Sequence, residues 1–126
     1  MPMRTKFHNI KTGGFDSRKE ARRYNELLLL MKVGIIQDLK TQVKYELIPA
    51  QYESYERYGK NGKRLEDGKR LVERKVEYIA DFVYVDSTGK TVVEDVKGYK
   101  EGVAYNLFVI KRKLMLYIHG IKIKEV

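Results

Sequence analysis

Residues 76–97 read VEYIADFVYVDSTGKTVVEDVK, and this stretch decides the fold. Residues 76–85 are β-branched or aromatic on both parities, the pattern of a strand covered on both faces and therefore central in its sheet. Ser87, Thr88 and Gly89 are turn material, and residues 91–97 again read as a strand, so the spacing predicts an antiparallel hairpin. With a three-residue loop Asp86 pairs with Lys90, and counting back along the ladder sets Asp81 opposite Asp95 and Ile79 opposite Lys97. Like charges facing each other with Cβ atoms about 5 Å apart destabilise a sheet unless something positive lies between them. Alternation puts Asp95 and Lys97 on one face and Glu94 on the other. A slip of one residue in the turn exchanges Glu94 for Asp95.

Working outward, residues 17–32 carry helical periodicity with Gly34 as a stop, and residues 104–118 carry it again, ending at Gly120. Residues 43–48 alternate like a strand up to Pro49, and residues 121–126 form a last short strand. The expected class is α/β, a mixed β-sheet flanked by helices in the order α-β-β-β-α-β. Residues 1–16 read as a basic arm closed by Gly13 and Gly14. Residues 53–75 hold eight basic and five acidic residues, three glycines and the pair Asn61-Gly62, with Tyr52, Tyr55 and Tyr58 leading in. They read as a loop or protruding hairpin. Basic and aromatic groups together suit a nucleic-acid strand, and a solvated insertion is the plain alternative.

The chain of 126 residues is one domain's worth, and 43% hydrophobic residues fill a core without staples. Without cysteine, disulfide frameworks, thiolate zinc sites and cysteine nucleophiles are excluded. The longest apolar run, residues 27–31, falls far below the roughly 18 residues of a membrane span. Residues 1–8 are charged where a signal peptide is apolar, so a soluble, unprocessed cytoplasmic protein with no membrane association is expected. Lys and Arg number 26 against 17 Asp and Glu, a net charge of +9. That balance attracts polyanions, nucleic acid first among them, although a basic surface that only maintains solubility explains it as well.

The chemistry concentrates on the hairpin. Mg²⁺ takes oxygen ligands and is commonly held by one or two carboxylates together with substrate phosphates and water, which Asp81 and Asp95 can supply. Lys97 then accompanies the metal, where an ammonium orients a water or offsets charge building on a phosphate. A bare Asp-x-Lys at a sheet edge is equally a surface ion pair worth about 0 to 1 kcal/mol. The helices add to it. At about 100° per residue Ala21, Tyr24, Leu27, Leu28 and Met31 share one arc, and Glu20 falls inside it. Glu20 is also three residues after Ser17, the spacing of a capping box, so a site carboxylate and a helix cap both remain open. On the second helix Ala104, Leu107, Phe108, Leu114, Met115 and Ile118 share an arc with Lys111 near its centre, a lone cation in an apolar stripe or one whose stem packs while its ammonium reaches water. His8 and His119 have no partner at metal-ligand spacing, so structural or surface roles are expected of them.

These residues resemble the PD-(D/E)xK nuclease superfamily, whose core is a helix, an antiparallel hairpin bearing the acidic residues, then a helix and a strand. Phe15-Asp16-Ser17-Arg18-Lys19-Glu20-Ala21, Tyr78-Ile79-Ala80-Asp81-Phe82, Val93-Glu94-Asp95-Val96-Lys97-Gly98, and Phe108 with Lys111-Arg112-Lys113 are similar to a phage protein family assigned to that superfamily and related to archaeal Holliday-junction resolvases. Ala80 stands where the superfamily's name has proline. The resemblance implies a restriction-endonuclease-like core and Mg²⁺-dependent hydrolysis of DNA phosphodiesters, with Mn²⁺ as a substitute. It implies Asp81 and Asp95 on the metal with the Val96 main chain, Lys97 near the attacking water, and Glu20 as the helix-one glutamate. Arg18, Arg22, Tyr99, Lys100, Lys111 and Arg112 are the expected nucleic-acid contacts. Branched DNA is the implied substrate, and resolving a junction by paired cuts implies a homodimer. A non-catalytic DNA- or RNA-binding module on the same fold, and an RNA-cleaving enzyme of the same core, are the rival readings.

Overall fold

In a computed structural model, residues 17–98 and 100–126 are described. They form helix α1 (Arg18–Lys32), strands β1 (Gln37–Ile48), β2 (Gln51–Tyr55), β3 (Gly68–Glu73), β4 (Val76–Val85) and β5 (Thr91–Asp95), helix α2 (Val103–Leu114), and strand β6 (Lys124–Glu125). Helix α1 starts where Ser17 accepts a hydrogen bond from the Glu20 N–H at 3.1 Å, satisfying one of the free donors of the first turn. Gly34, at φ +86°, lets the chain turn out of the helix.

The chain is α/β. The larger sheet has the order β1-β4-β5-β6, antiparallel except for the parallel pair β5–β6. Strand β4 is internal, as its two-sided apolar pattern predicts. Strand β1 begins six residues earlier than the sequence pattern indicates, because residues 37–42 are polar except for Leu39 and carry positive φ at Asp38 and Gln42, so no alternation announces them. The expected insertion at residues 53–75 is a hairpin: β2 and β3 form their own two-stranded sheet.

The β4–β5 ladder runs Phe82↔Glu94, Val83↔Val93, Tyr84↔Val92 and Val85↔Thr91. The Asp86 N–H donates to the Lys90 carbonyl at 2.8 Å, so the turn has the predicted register and Asp81 and Asp95 are the next pair in the count. Pairing of Ile79 with Lys97 does not occur. Past Glu94, β5 turns toward β6, and the Lys97 N–H donates to the Val126 carbonyl while Val126 N–H donates to the Asp95 carbonyl. On β4's other edge Ile79 pairs with Lys44.

Two apolar clusters lie on opposite faces of the sheet. Leu27 and Ala21 of α1 pack with Phe82, Tyr84 and Ile36. Phe108 and Met115 pack with Tyr78, Ala80, Val83, Val93, Leu47 and Ile123. Strict alternation keeps residues 78, 80, 82 and 84 on one face, so β4 changes phase at Asp81. The change falls between the ladder pairs Thr41↔Phe82 and Val43↔Ala80, where β1 carries Gln42 at φ +53°.

The arc expected for the second helix is corrected. Phe108 and Met115 are buried and Tyr105, Val109 and Leu114 pack beside them, whereas Ala104, Leu107 and Ile118 are exposed. The helix changes from α to a π-helical turn over Met115–His119, which shifts the phase of its last residues. Lys111 is therefore at the margin of the buried face, part-exposed, and is not the centre of an apolar stripe.

Candidate functional site

The phase change in β4 and the departure of β5 at Asp95 bring four of the expected residues to one end of the sheet. Beyond the last regular β4–β5 pair, the Val96 N–H has no backbone acceptor on β4 and donates instead to Asp81 Oδ2 at 2.7 Å. Val96, expected to contribute its main chain to a metal, thus uses its N–H to orient Asp81. On the far side Gln42 Nε2 donates to Glu20 Oε2 at 3.1 Å and lies 3.5 Å from Asp81 Oδ1. Gln42 therefore links the α1 glutamate to the β4 aspartate. Glu20 is 8% exposed; its N–H makes the cap with Ser17 while its carboxylate accepts from Gln42 on the strand side.

Asp95 is buried at 5% exposure. Its Oδ1 accepts a hydrogen bond from the Tyr78 hydroxyl at 2.8 Å. Lys97 Nζ stands 2.7 Å from Oδ2. That contact is an ion pair without hydrogen-bond alignment, and Oδ2 is a buried oxygen that no donor satisfies. The ammonium also lies 3.5 Å from the centre of the Phe108 ring and 6.0 Å from that of Tyr105, a cation–π arrangement that holds it at the pocket. The predicted sharing of one face by Asp95 and Lys97 is observed.

Electrostatics at this end are under tension. Burial pushes the Asp81 carboxyl up to about 6; the charge of Asp95 adds to that push, while the bonds from Val96 and Gln42 and the Lys97 ammonium oppose it. Burial and the neighbouring Asp95 also raise the Tyr78 phenol far above its ordinary range, so Tyr78 remains a hydrogen-bond donor. Among the described residues no group of three or more His, Asp or Glu side chains is arranged to cage a metal ion. Two carboxylates, one with an unsatisfied oxygen, are the donor set at hand.

Glu94 points to the opposite face, as alternation requires, and this removes it from the pocket of Asp95 and Lys97. It is fully buried and gripped by a fork: Arg23 Nε lies 2.8 Å from Oε1 and Arg23 Nη2 2.6 Å from Oε2. The Tyr84 hydroxyl donates to the same carboxylate, and Lys124 Nζ is 3.9 Å away. Burial alone pushes Glu94 up, but the bonds from Arg23 and Tyr84 outweigh it and hold the carboxyl below its ordinary value.

The expected nucleic-acid contacts are dispersed. Arg18 and Arg22 are exposed on the first turns of α1, and Arg22 lines a cavity of about 240 Å³ with Lys19, Arg23, Glu26, Val96 and Val126. Lys19 Nζ donates to the Lys97 carbonyl, which ties this basic end of α1 to the pocket. Arg112 lies 3.0 Å and Lys100 3.9 Å from the Glu125 carboxylate, which pairs next to Asp95 in the β5–β6 ladder. His119 Nε2 is 2.8 Å from the Glu46 carbonyl, a structural role as expected. Tyr99, His8 and the arm of residues 1–16 lie outside the described residues.

Sequence reasoning missed Gln42, Tyr78, Arg23 and Glu125. No helix among the described residues is long and apolar enough to cross a membrane. No curated protein and no solved structure matches the chain. The family comparison is positive: the chain belongs to the family described as protein of unknown function (DUF1064), which it matches over residues 3–124.

Proposed function

We propose that this protein is a divalent-metal-dependent DNA endonuclease acting inside the cell, with Asp81, Asp95, Lys97 and Glu20 as its working residues. The observation that carries the reading is Asp95 Oδ2, a buried carboxylate oxygen that receives no hydrogen bond and faces an ammonium at 2.7 Å. Buried polar atoms are nearly always satisfied, and one that is not requires an explanation. An oxygen shared between the resident ammonium and an incoming cation supplies one.

The donor set fits Mg²⁺, with Mn²⁺ as a substitute: Asp95 and the Oδ1 side of Asp81 would hold it, and phosphate and water complete the shell. When bound, such an ion supplies charge neutralisation at the phosphate and a more acidic water. The chain's own groups do the rest. Val96 N–H and Gln42 orient Asp81, and Tyr78 orients Asp95. Lys97, held over the Phe108 ring, offsets charge developing on the phosphate. Lys19, bonded to the Lys97 carbonyl, and Arg22, which lines a neighbouring cavity with it, suit the flanking backbone.

The resemblance to the PD-(D/E)xK nucleases and Holliday-junction resolvases supports DNA, branched DNA in particular, and a two-fold dimer. The competing reading, a non-catalytic DNA- or RNA-binding module, draws on the Lys97–Asp95 pair, which neutralises one carboxylate without any metal. Purified protein and Asp95→Asn are incubated with Mg²⁺ or Mn²⁺ on single-stranded, duplex, flap and four-way-junction DNA and on RNA. Cutting of DNA by the wild type alone is expected. Equal cutting by both proteins, or none by either, rejects the enzyme, and cutting restricted to RNA rejects DNA as the substrate.

A further inference from the structure

Strands β2 and β3 continue the β1–β4 pairing outward past Pro49-Ala50 and Arg74-Lys75. Main-ladder pairing ends at Ile48↔Val76 and resumes as Gln51↔Glu73 through Tyr55↔Gly68. The ribbon then runs on through the bridge Tyr58↔Arg64. Its tip closes where the Gly59 N–H donates to the Lys63 carbonyl at 2.8 Å, with Gly62 at φ +71°. An isolated two-stranded ribbon is marginal in water, and this one has cross-strand braces. The Tyr55 ring lies across Gly68, where a Cβ would fall 2.4 Å from it. The Arg70 guanidinium stacks 4.4 Å from the Tyr55 ring centre, and that of Arg64 5.8 Å from Tyr58.

The tip has one sign of charge. Residues 57–64 contain Arg57, Lys60, Lys63 and Arg64 and no acid. Arg64 pairs with Asp67, and the other three have no ion pair among the described residues. Tyr58, 57% exposed, stands beside this charge. The ribbon also leaves the sheet at the end where the candidate site lies, because β5 runs antiparallel to β4 and its Asp95 end heads toward Val76. At about 3.3 Å per residue, Asp81 to Val76 covers about 17 Å, Ile48 opposite Val76 to Gln51 about 10 Å, and Gln51 to Lys60 about 30 Å more. The tip is therefore up to about 57 Å from the carboxylates along the ribbon, between one and two turns of duplex at about 34 Å each.

We propose that the β2–β3 ribbon is a duplex-DNA arm whose cationic tip engages the double helix between one and two turns from the site of cutting. A two-stranded ribbon fits a major groove about 12 Å wide, and Arg57, Lys60 and Lys63 contact phosphates at its walls. The proposal rests on the nuclease reading for the position of the second contact. Its consequence is a minimum duplex length: DNA too short to reach the tip loses these contacts.

The test uses the full chain with EDTA, so that nothing is cut, and fluorescent blunt duplexes of about 12 and about 36 base pairs at 3.4 Å per pair. The shorter, about 41 Å long at 3.4 Å per pair, falls short of the roughly 57 Å of ribbon between site and tip. Neutralising Arg57, Lys60 and Lys63 to Ala is expected to weaken binding of the longer duplex by about tenfold or more and to reduce the slope of log affinity against log salt by about 2 to 3, at roughly 0.9 per lost phosphate contact. Binding of the shorter duplex changes less than about twofold, and K60R/K63R retains wild-type affinity. Unchanged affinity and slope, equal losses on both lengths, an equal loss on single-stranded DNA, or a change in self-association with DNA binding intact each overturn the arm. Melting of the triple variant at the wild-type temperature verifies that its fold is intact. Cutting by the wild type with Mg²⁺ is scored separately: its absence rejects the nuclease alone, and tip-insensitive binding rejects the arm alone.

Discussion

The hydroxyl of Tyr78 donates to Asp95 Oδ1 at 2.8 Å from within the same cluster that packs Phe108. A core tyrosine thus fixes one oxygen of the candidate ligand and leaves the other facing Lys97. Tyr78→Phe keeps the ring and deletes this bond to a buried charge, so a loss of about 1.5 to 3 kcal/mol is expected in urea unfolding. Cutting falls but persists, because both carboxylates remain.

Lys97 is the residue whose removal separates binding from chemistry. Lys97→Met removes the charge beside Asp95 Oδ2 while retaining a stem that packs on Phe108. Cutting is expected to fall by about 10² or more, the scale seen on deleting one electrostatic stabiliser of a transition state. Mg²⁺ affinity holds or rises, since the competing ammonium is gone. A parallel loss of metal affinity contradicts this division of labour.

Asp81 sets the pH dependence. Its folded value of about 6 lies above the unfolded value of 3.8, so the native state binds the proton more tightly and stability falls as pH rises between them. Above about pH 6 the ionised carboxylate is a standing cost, at most about 3 kcal/mol at 1.36 per unit. Asp81→Asn is therefore expected to be more stable than the wild type at pH 7.5 and to lose that advantage by about pH 4, read by urea unfolding at each pH. A variant less stable than the wild type at both values contradicts the assignment.

Much of this site was legible. The Asp86–Lys90 turn fixed the register from two strand patterns, and the register fixed which acid shares a face with Lys97. Glu20 showed itself as a charge in the α1 stripe. Other residues gave no local signal. Gln42 sits in a polar, bulged start of β1 that no alternation marks, and Arg23 meets Glu94 from 71 positions away. In α2 eight of twelve residues are aliphatic or aromatic and are spread over the whole circumference, so a 100° count fits overlapping arcs, and the π-helical turn after Leu114 then shifts the phase.

The Arg23–Glu94 fork is structural in this account. Removing one partner strands a buried charge, so Arg23→Met is expected to cost about 3 to 5 kcal/mol, while Arg23→Met with Glu94→Leu recovers most of it. The depressed Glu94 carboxyl contributes stability that is fully present above its ordinary value of 4.5 and is lost as pH falls through the lower folded value. A double variant no more stable than the single one contradicts the pairing.

The central claim is that Asp81 and Asp95 share one cation. Calorimetric titration of Mn²⁺ at pH 7.5 into the wild type, Asp81→Asn and Asp95→Asn addresses it without any substrate. One saturable site in the wild type, weakened at least about tenfold in each variant (about 1.4 kcal/mol), is the predicted result. Identical titrations in all three proteins, or a wild type that binds no metal, contradict the claim.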